Sequence, residues 1–537
     1  MVEPNRPVDQ CDYDIVVVGA GMGGIYGAHR FSSQGLRVLG LEGASGFGGV
    51  WFHNRYPGAR VDVESQVYNF LFDHDLVKSW VWSERYASQP EILEYLNHVA
   101  DHLGVRQLFE FDSWVTGARW DEANHRYAVE VNGDRTVTAR YLVMATGQLS
   151  KPHDPPFEGL ESFRGKWVRT GDWPAEPVYV AGKRVAVIGT GSSGVQAITE
   201  LAPQVESLHV FQRTPAYTVP SRNRPSGPEQ AMEIADNLDA FRDELVNQVA
   251  AVRARPPAGP AADYTPAEQQ RLIQERWDEG GATINFTFSD QSVNLESNEV
   301  VGEFVRDKIR EIVTDPQTAE ALTPRSYPIG TRRVCVSSGY YETFNRDNVT
   351  LVDVSRDRIV RITPKGIETT EDEYEFDLIV FAVGFDAFTG ALNAANIVND
   401  EGHGPTDHWV NGPATFLGLM TTGFPNLFMI TGPGSPSVLA NMFLANTQHI
   451  DLAADLISHM AERGYTRAEP SETAQAEWTR HANAVAEPLL RRQAESYMIQ
   501  VGEDGDRYLI PYAGGFNTFI TYCNDVIASG FNGMEFK

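Results

Sequence analysis

At 537 residues, 42% of them hydrophobic, the chain exceeds one ordinary core, and two to four domains are expected. A formal net charge of −28 argues against nucleic acid or an anionic membrane surface as a partner, and no apolar run of about eighteen residues points to a membrane span. The polar opening from Met1 to Asp12 lacks a signal-peptide core, and Cys11, Cys335 and Cys523 form no CxxC pair, so a cytoplasmic protein with no disulfide framework, zinc site or disulfide-reductase centre is expected.

Asp14 to Gly24 reads DIVVVGAGMGG. An apolar run of strand length enters a turn carrying Gly19, Gly21 and Gly24, and a helix-like stretch continues to Ser33. G-x-G-x-x-G in that setting predicts a dinucleotide site, with glycines that let the backbone approach a pyrophosphate and a helix amino end that donates N–H groups to it. A second strand, Arg37 to Leu41, ends at Glu42, where a carboxylate can accept hydrogen bonds from a ribose diol.

Gly48 to Asp62 (GGVWFHNRYPGARVD) follows directly. Pro57-Gly58 breaks any helix, and charges interrupt any strand alternation, which leaves a structured loop beside the dinucleotide turn. Such loops more often carry chemistry than packing. Next come aromatics around Tyr68, an amphipathic helix over Gln89 to Leu103, and antiparallel strands from Trp114 to Val131. A buried strand from Tyr141 to Thr146 then ends at Gly147. Residues 150–180, rich in Pro, Gly and aromatics, read as an interdomain linker.

Arg184 to Gly194 (RVAVIGTGSSG) repeats the first pattern through Gly189, Gly191, Ser192, Ser193 and Gly194. Its second strand, Leu208 to Gln212, ends in Arg213-Thr214 instead of an acid. Arginine with a hydroxyl pairs with a 2′-phosphate that a carboxylate would repel. The first unit therefore suits FAD or NAD and the second NADP. Beyond it, helices over Glu229 to Arg253, Pro266 to Asp278 and a third around Val300 to Val313 predict a helical insertion. A basic loop holding Arg332 and Arg333, a buried strand from Asp377 to Gly384, and helices over Asn446 to Arg463 and Ala474 to Arg492 complete the chain. The expected fold is α/β with two Rossmann-like dinucleotide-binding domains: residues 1–150 and 383–537 for FAD, 151–221 and 325–382 for NADP, with 222–324 as the helical insertion.

Gly48, Gly49, Trp51, Tyr56, Pro57, Gly58 and Asp62 match the pattern [A/G]GxWxxxx[F/Y]P[G/M]xxxD, by which the chain resembles the type I Baeyer–Villiger monooxygenases over essentially its whole length. A second family pattern, FxGxxxHxxxW[P/D], is met at Phe163, Gly165, Trp173 and Pro174, with Arg169 in place of its His. The resemblance implies FAD, NADPH and a C4a-peroxyflavin that inserts one oxygen of O2 beside a ketone carbonyl, giving an ester or lactone. Arg333 matches the catalytic arginine and Asp62 the carboxylate that orients it. Gly49, Trp51, Asp62, Tyr68, Val115 and Met442 fall among cofactor-contacting positions, Arg213, Thr214 and Arg332 among those reading the NADP 2′-phosphate, and Ser437, Val438 and Leu439 along the ketone pocket. Tyr497 stands where the family often has a Trp that contacts NADP. No obligatory protein partner is expected. Two other readings remain open: a flavin-containing oxygenase of N or S heteroatoms, and an electron-transfer reductase.

Overall fold

The computed structural model describes residues 11–537; the first ten residues of the polar opening lie outside the described residues. Two parallel-centred sheets dominate. The first has eight strands in the order Ile397–Val398, Val115–Asp121, Arg126–Val131, Arg135–Met144, Tyr13–Val18, Val38–Leu41 and Phe109–Glu110, with Leu427–Met429 also pairing with Arg135–Met144. Strand Arg135–Met144 serves both halves. It runs antiparallel to Arg126–Val131 and parallel to Tyr13–Val18. The second sheet is wholly parallel, in the order Val349–Asp353, Ser207–Gln212, Arg184–Ile188, Leu378–Phe381 and Lys166–Arg169.

Both central strands are apolar at every inner position because both of their faces are covered. Alternate side chains go to opposite sides. Ile15 and Val17 join a cluster with Ile25, Phe31 and Ile450, whereas Val16 and Val18 join Trp120, Tyr127 and Phe424. The second sheet repeats this arrangement, with Val185 and Val187 against Val195 and Ile198, and Ala186 and Ile188 against Phe211, Ile367 and Phe376. Helix Met442–Arg463 crosses Met22–Ser33 so closely that a methyl on Gly23 would meet Asn446 Oδ1 at 2.5 Å.

Three elements differ from the sequence expectation. The helix expected over Glu229 to Arg253 is two, Pro228–Asp236 and Leu238–Val246. Asn237 separates them, its Nδ2 donating to Glu233 O at 3.0 Å and capping the first. The helix expected to reach Arg492 is Glu472–Ala486, because Pro488 cannot continue it, and a single 3-10 turn, Leu490–Gln493, follows. Residues 150–180 are more than a linker, since Lys166–Arg169 forms the edge of the second sheet. Helices Pro266–Glu279 and Leu295–Ile312 pack around Trp277, Val301 and Phe304, while the pair at 228–246 packs on Val67, Leu71 and Phe516. No helix among the described residues is long and apolar enough to cross a membrane.

Candidate functional site

Each sheet delivers one glycine turn at the carboxyl end of its central strand. Gly19 has φ +105° and Gly189 φ +108°, a region that side chains avoid. A methyl on Gly19 would lie 2.6 Å from Ala145 O, and one on Gly189 2.3 Å from Ala382 O, so each turn presses on the end of the neighbouring strand. Around Gly191, by contrast, a methyl would meet nothing within 4 Å. That open side faces the amino end of Ser192–Leu201, capped by Gly191 without any side-chain bond, as Gly21 caps Met22–Ser33. Free N–H groups and open space suit a phosphate. Ser192 approaches Cys335 Sγ at 3.7 Å, and Gly24 and Gly194 close their turns on Gly19 O and Gly189 O.

The residue after the second strand differs between the two units. Glu42 is buried, and its oxygens accept from the N–H groups of Ala20 at 2.6 Å and Ala44 at 2.8 Å. It thus fixes the first turn from beneath. Ser113 N donates to Glu42 O at 2.8 Å, and Val115, two residues on, is buried in the cluster with Leu39 and Leu41. Arg213 is exposed and has no ion pair among the described residues. Thr214 O accepts from Thr190 Oγ1 at 3.1 Å. Arg332 lies 4.8 Å over the Tyr327 ring, its buried Nε without a hydrogen-bond partner, and Tyr327 donates to Pro215 O at 2.9 Å. A two-stranded pairing of Thr218–Val219 with Cys335–Val336 aligns these two basic segments.

Residues 48–62 run between the two turns. Gly48 N donates to Ala20 O at 3.0 Å, and Gly49 touches Gly21. The stretch is not wholly irregular: Val50–His53 forms one helical turn. Trp51 Nε1 donates to Tyr68 Oη at 3.0 Å, and the Tyr68 ring stands edge-on to Phe443, next to Met442. Tyr56 is buried against the second unit and donates to Gln196 Oε1 at 2.8 Å. Burial pushes its hydroxyl up to about 12. At the loop's far end Asp62 accepts from Arg333 Nε and Nη2, both at 2.6 Å. Burial pushes the Asp62 carboxyl up, but the Arg333 charge and hydrogen bonds outweigh it and hold the group below the usual carboxylate range. Arg333 is raised, first by the Asp62 charge, against the burial that opposes it.

Arg333 Nη1 also donates to Val438 O at 3.3 Å, and 38% of its side chain stays open. Val438 and Leu439 are partly buried beside Phe388 and Met498. Ser437 is fully buried with φ +44°, its Oγ without a partner, so it shapes the turn more than it lines an open surface. Tyr497 is exposed and stacks near Phe388 at 6.2 Å. Arg169 lies apart from this group, at the end of the edge strand, paired with Asp154 at 2.7 Å and Asp172 at 3.2 Å. Sequence reasoning missed Gln196, which binds both Tyr56 and Arg60 O, and Gln89, whose amide donates to Trp51 O. Neither stands in a pattern that marks it. Arg491 also went unmarked, falling inside the helix expected over Ala474 to Arg492.

Residues 13–235 match the family model described as pyridine nucleotide-disulphide oxidoreductase. The chain is 38% identical over 528 residues to a Baeyer–Villiger monooxygenase from Pseudooceanicola batsensis, covering 97% of this chain and 96% of that one. Among solved structures, an oxidized steroid monooxygenase bound to NADP superposes with a TM-score of 0.93 at 44% identity, covering 98% of this chain and 99% of that one. OTEMO in complex with FAD and NADP superposes with a TM-score of 0.95 at 35% identity, covering 98% and 100%.

Proposed function

The chain belongs to the Baeyer–Villiger monooxygenase family, and from that premise we propose that it inserts one oxygen atom of O2 beside the carbonyl of a ketone, giving an ester or lactone. It is an FAD- and NADPH-dependent monooxygenase. Bound FAD, reduced by NADPH, supplies the electrons and the oxygen activation, while the protein binds, orients and polarises.

The residues present fit both cofactors. The turn at Gly19, Gly21 and Gly24 would hold the FAD pyrophosphate, with Glu42 bracing it and Val115 at the adenosine end. Gly49, Trp51, Tyr68 and Met442 would lie towards the flavin. The turn from Gly189 to Gly194 would hold the NADP pyrophosphate. Arg213, Thr214 and Arg332 would read its 2′-phosphate, since these arginines lack carboxylate partners among the described residues and an unpaired buried Nε awaits an acceptor. By this division residues 1–150 and 383–537 serve FAD, 151–221 and 325–382 serve NADP, and 222–324 bridge them.

The observation that carries the reading is the bidentate Asp62–Arg333 contact. Negative charge develops on the ketone oxygen when a nucleophilic oxygen adds to its carbonyl carbon. A fixed guanidinium with an open face stabilises that charge more than it stabilises the neutral ketone. Asp62 holds the fork in place. Val438 and Leu439 would line the ketone, and Tyr497 the adjoining end of the site.

Incubation with NADPH, O2 and a panel of cyclic, linear and aryl ketones, with products read by mass spectrometry, tests the reading. Esters or lactones carrying the label from isotopically labelled O2 are expected without any added protein. Sulfoxides or amine oxides as the sole products would replace it with heteroatom oxygenation.

A further inference from the structure

Two arginines stand together in the turn Leu490–Gln493, and only one is neutralised. Arg492 pairs with Asp506 at 3.0 Å and donates to Arg507 O. Arg491 has no carboxylate partner among the described residues; its one hydrogen-bond contact is to Met498 Sδ at 3.4 Å. It is partly buried, and its surroundings are apolar: Leu489, Met498 and Ile499 belong to the cluster that also holds Val438 and Leu439. Arg333 binds Val438 O and Arg491 touches Met498, so the two arginines meet the same apolar cluster. Burial pushes the Arg491 guanidinium below its ordinary value, and although Tyr497 opposes this, the Arg333 charge adds to it.

A guanidinium withdrawn from water beside a second cation is costly unless a bound anion compensates it. Asp62 already neutralises Arg333, and no carboxylate among the described residues does so for Arg491. We propose that Arg491 is a specificity-determining residue that binds a carboxylate carried by the substrate, so that the preferred ketones are oxo acids. The inference rests on the function proposed above, because it takes Val438 and Leu439 to line the ketone. The carbonyl then meets Arg333, and the carboxylate meets the planar fork of Arg491.

The test compares levulinate and oxocyclohexanecarboxylate, each with its own methyl ester, on holoenzyme carrying FAD and NADP+. Calorimetric affinities and kcat/KM are measured for the wild type, Arg491→Met and Arg491→Lys. The wild type is expected to bind at least one oxo acid about tenfold or more tightly than its ester. Arg491→Met should bring that ratio near one, and Arg491→Lys should restore part of it, which a merely structural role would not do. Equal binding of acid and ester by the wild type in both pairs overturns the proposal, as does a ratio that survives in Arg491→Met. A KM for NADPH that rises while the ratio is untouched also overturns it, assigning Arg491 to a cofactor phosphate. The binding arm needs no turnover. Oxo acids bound selectively but never oxygenated would refute the proposed function and leave the anion site standing; ester products without acid preference would do the reverse.

Discussion

Arg333 uses two of its nitrogens on Asp62 and a third on Val438 O, and that arrangement separates arginine from lysine. An ammonium supplies charge but cannot hold both carboxylate oxygens and the carbonyl in one plane. Arg333→Lys is therefore expected to lower ester formation by about 100-fold or more, close to Arg333→Ala, with NADPH-dependent flavin reduction still visible by stopped-flow absorbance. Near-wild-type ester formation in Arg333→Lys would show that charge alone suffices. The Asp62 carboxyl is depressed, so its stabilising contribution is full above the ordinary carboxylate pKa and lost only as pH falls through the folded value. Arg333 is raised, so neither partner titrates between about pH 5 and 10. A second residue sets an acid limit. His449, 1% exposed, accepts from Thr431 N at 2.9 Å through Nδ1 and must donate from Nε2 to Leu417 O at 3.1 Å, which requires the neutral ring. Burial pushes it down to about 4. Its contribution is present above the unfolded value of about 6.5 and is lost as pH falls towards 4, approaching about 3 kcal/mol. The thermal midpoint of the wild type should therefore fall more steeply between pH 7 and 5 than that of His449→Gln; parallel slopes would exclude this histidine as the cause.

Residues 48–62 act as an element because both ends are tied to different sheets. The beginning touches the first glycine turn, and Pro57-Gly58 rests on the helix of the second. A methyl on Gly58, at φ +81°, would lie 2.7 Å from Gln196 O and 3.1 Å from Glu200 Cβ, so the loop must lift away to accept one. Gly58→Ala is expected to cost about 1–3 kcal/mol, from the strained φ and the lost contact, and to raise the KM for NADPH. Tyr56→Phe, which loses the hydroxyl's bonds to Gln196 and Ser193 and leaves the ring in place, should cost about 1 kcal/mol. In both, more NADPH should be spent on hydrogen peroxide than in the wild type, as read by peroxide assay against ester formed; unchanged coupling would limit the contact to stability. The strands and helices flanking this loop were legible because their signal is local: apolar runs into Gly19 and Gly189, and amphipathic spacing from Gln89 onward. The break at Asn237 was not, because it depends on one side chain bonding back to Glu233 O. Nor was the inward turn of Tyr56, since its partner lies 140 positions away and only docking of the two units brings it near.

The whole molecule uses one strand–turn–helix twice and distinguishes the copies by the residue after the second strand. Glu42 accepts from backbone N–H groups of its own turn, whereas Arg213 projects without a counter-ion among the described residues. That one place is acidic and the other basic could be read from the chain, because equivalent places in a repeated motif can be compared without knowing the fold; the backbone partners of Glu42, which was expected to face a ribose diol, could not. Contacts between the copies and the later loops could not. Asp62 and Arg333 are 271 positions apart, and only the family resemblance linked them. In a molecule of net charge −28, cations that stand beside the second glycine turn without a carboxylate partner among the described residues should dominate recognition of a phosphate. Arg213→Ala and Arg332→Ala are each expected to lower kcat/KM for NADPH by about 10- to 100-fold while changing that for NADH by less than about threefold, since NADH lacks the 2′-phosphate. Arg332 also rests on Tyr327, which holds Pro215 beside Thr214, so its loss should disturb the Arg213 segment and the double variant should fall short of additivity. The wild-type KM for NADPH should rise with salt, and this dependence should weaken in the variants as the phosphate contact is lost. Equal losses with NADH and NADPH would mean that these arginines hold the turn together instead of reading the phosphate, and the assignment of the second sheet to NADP would then rest on its glycines alone.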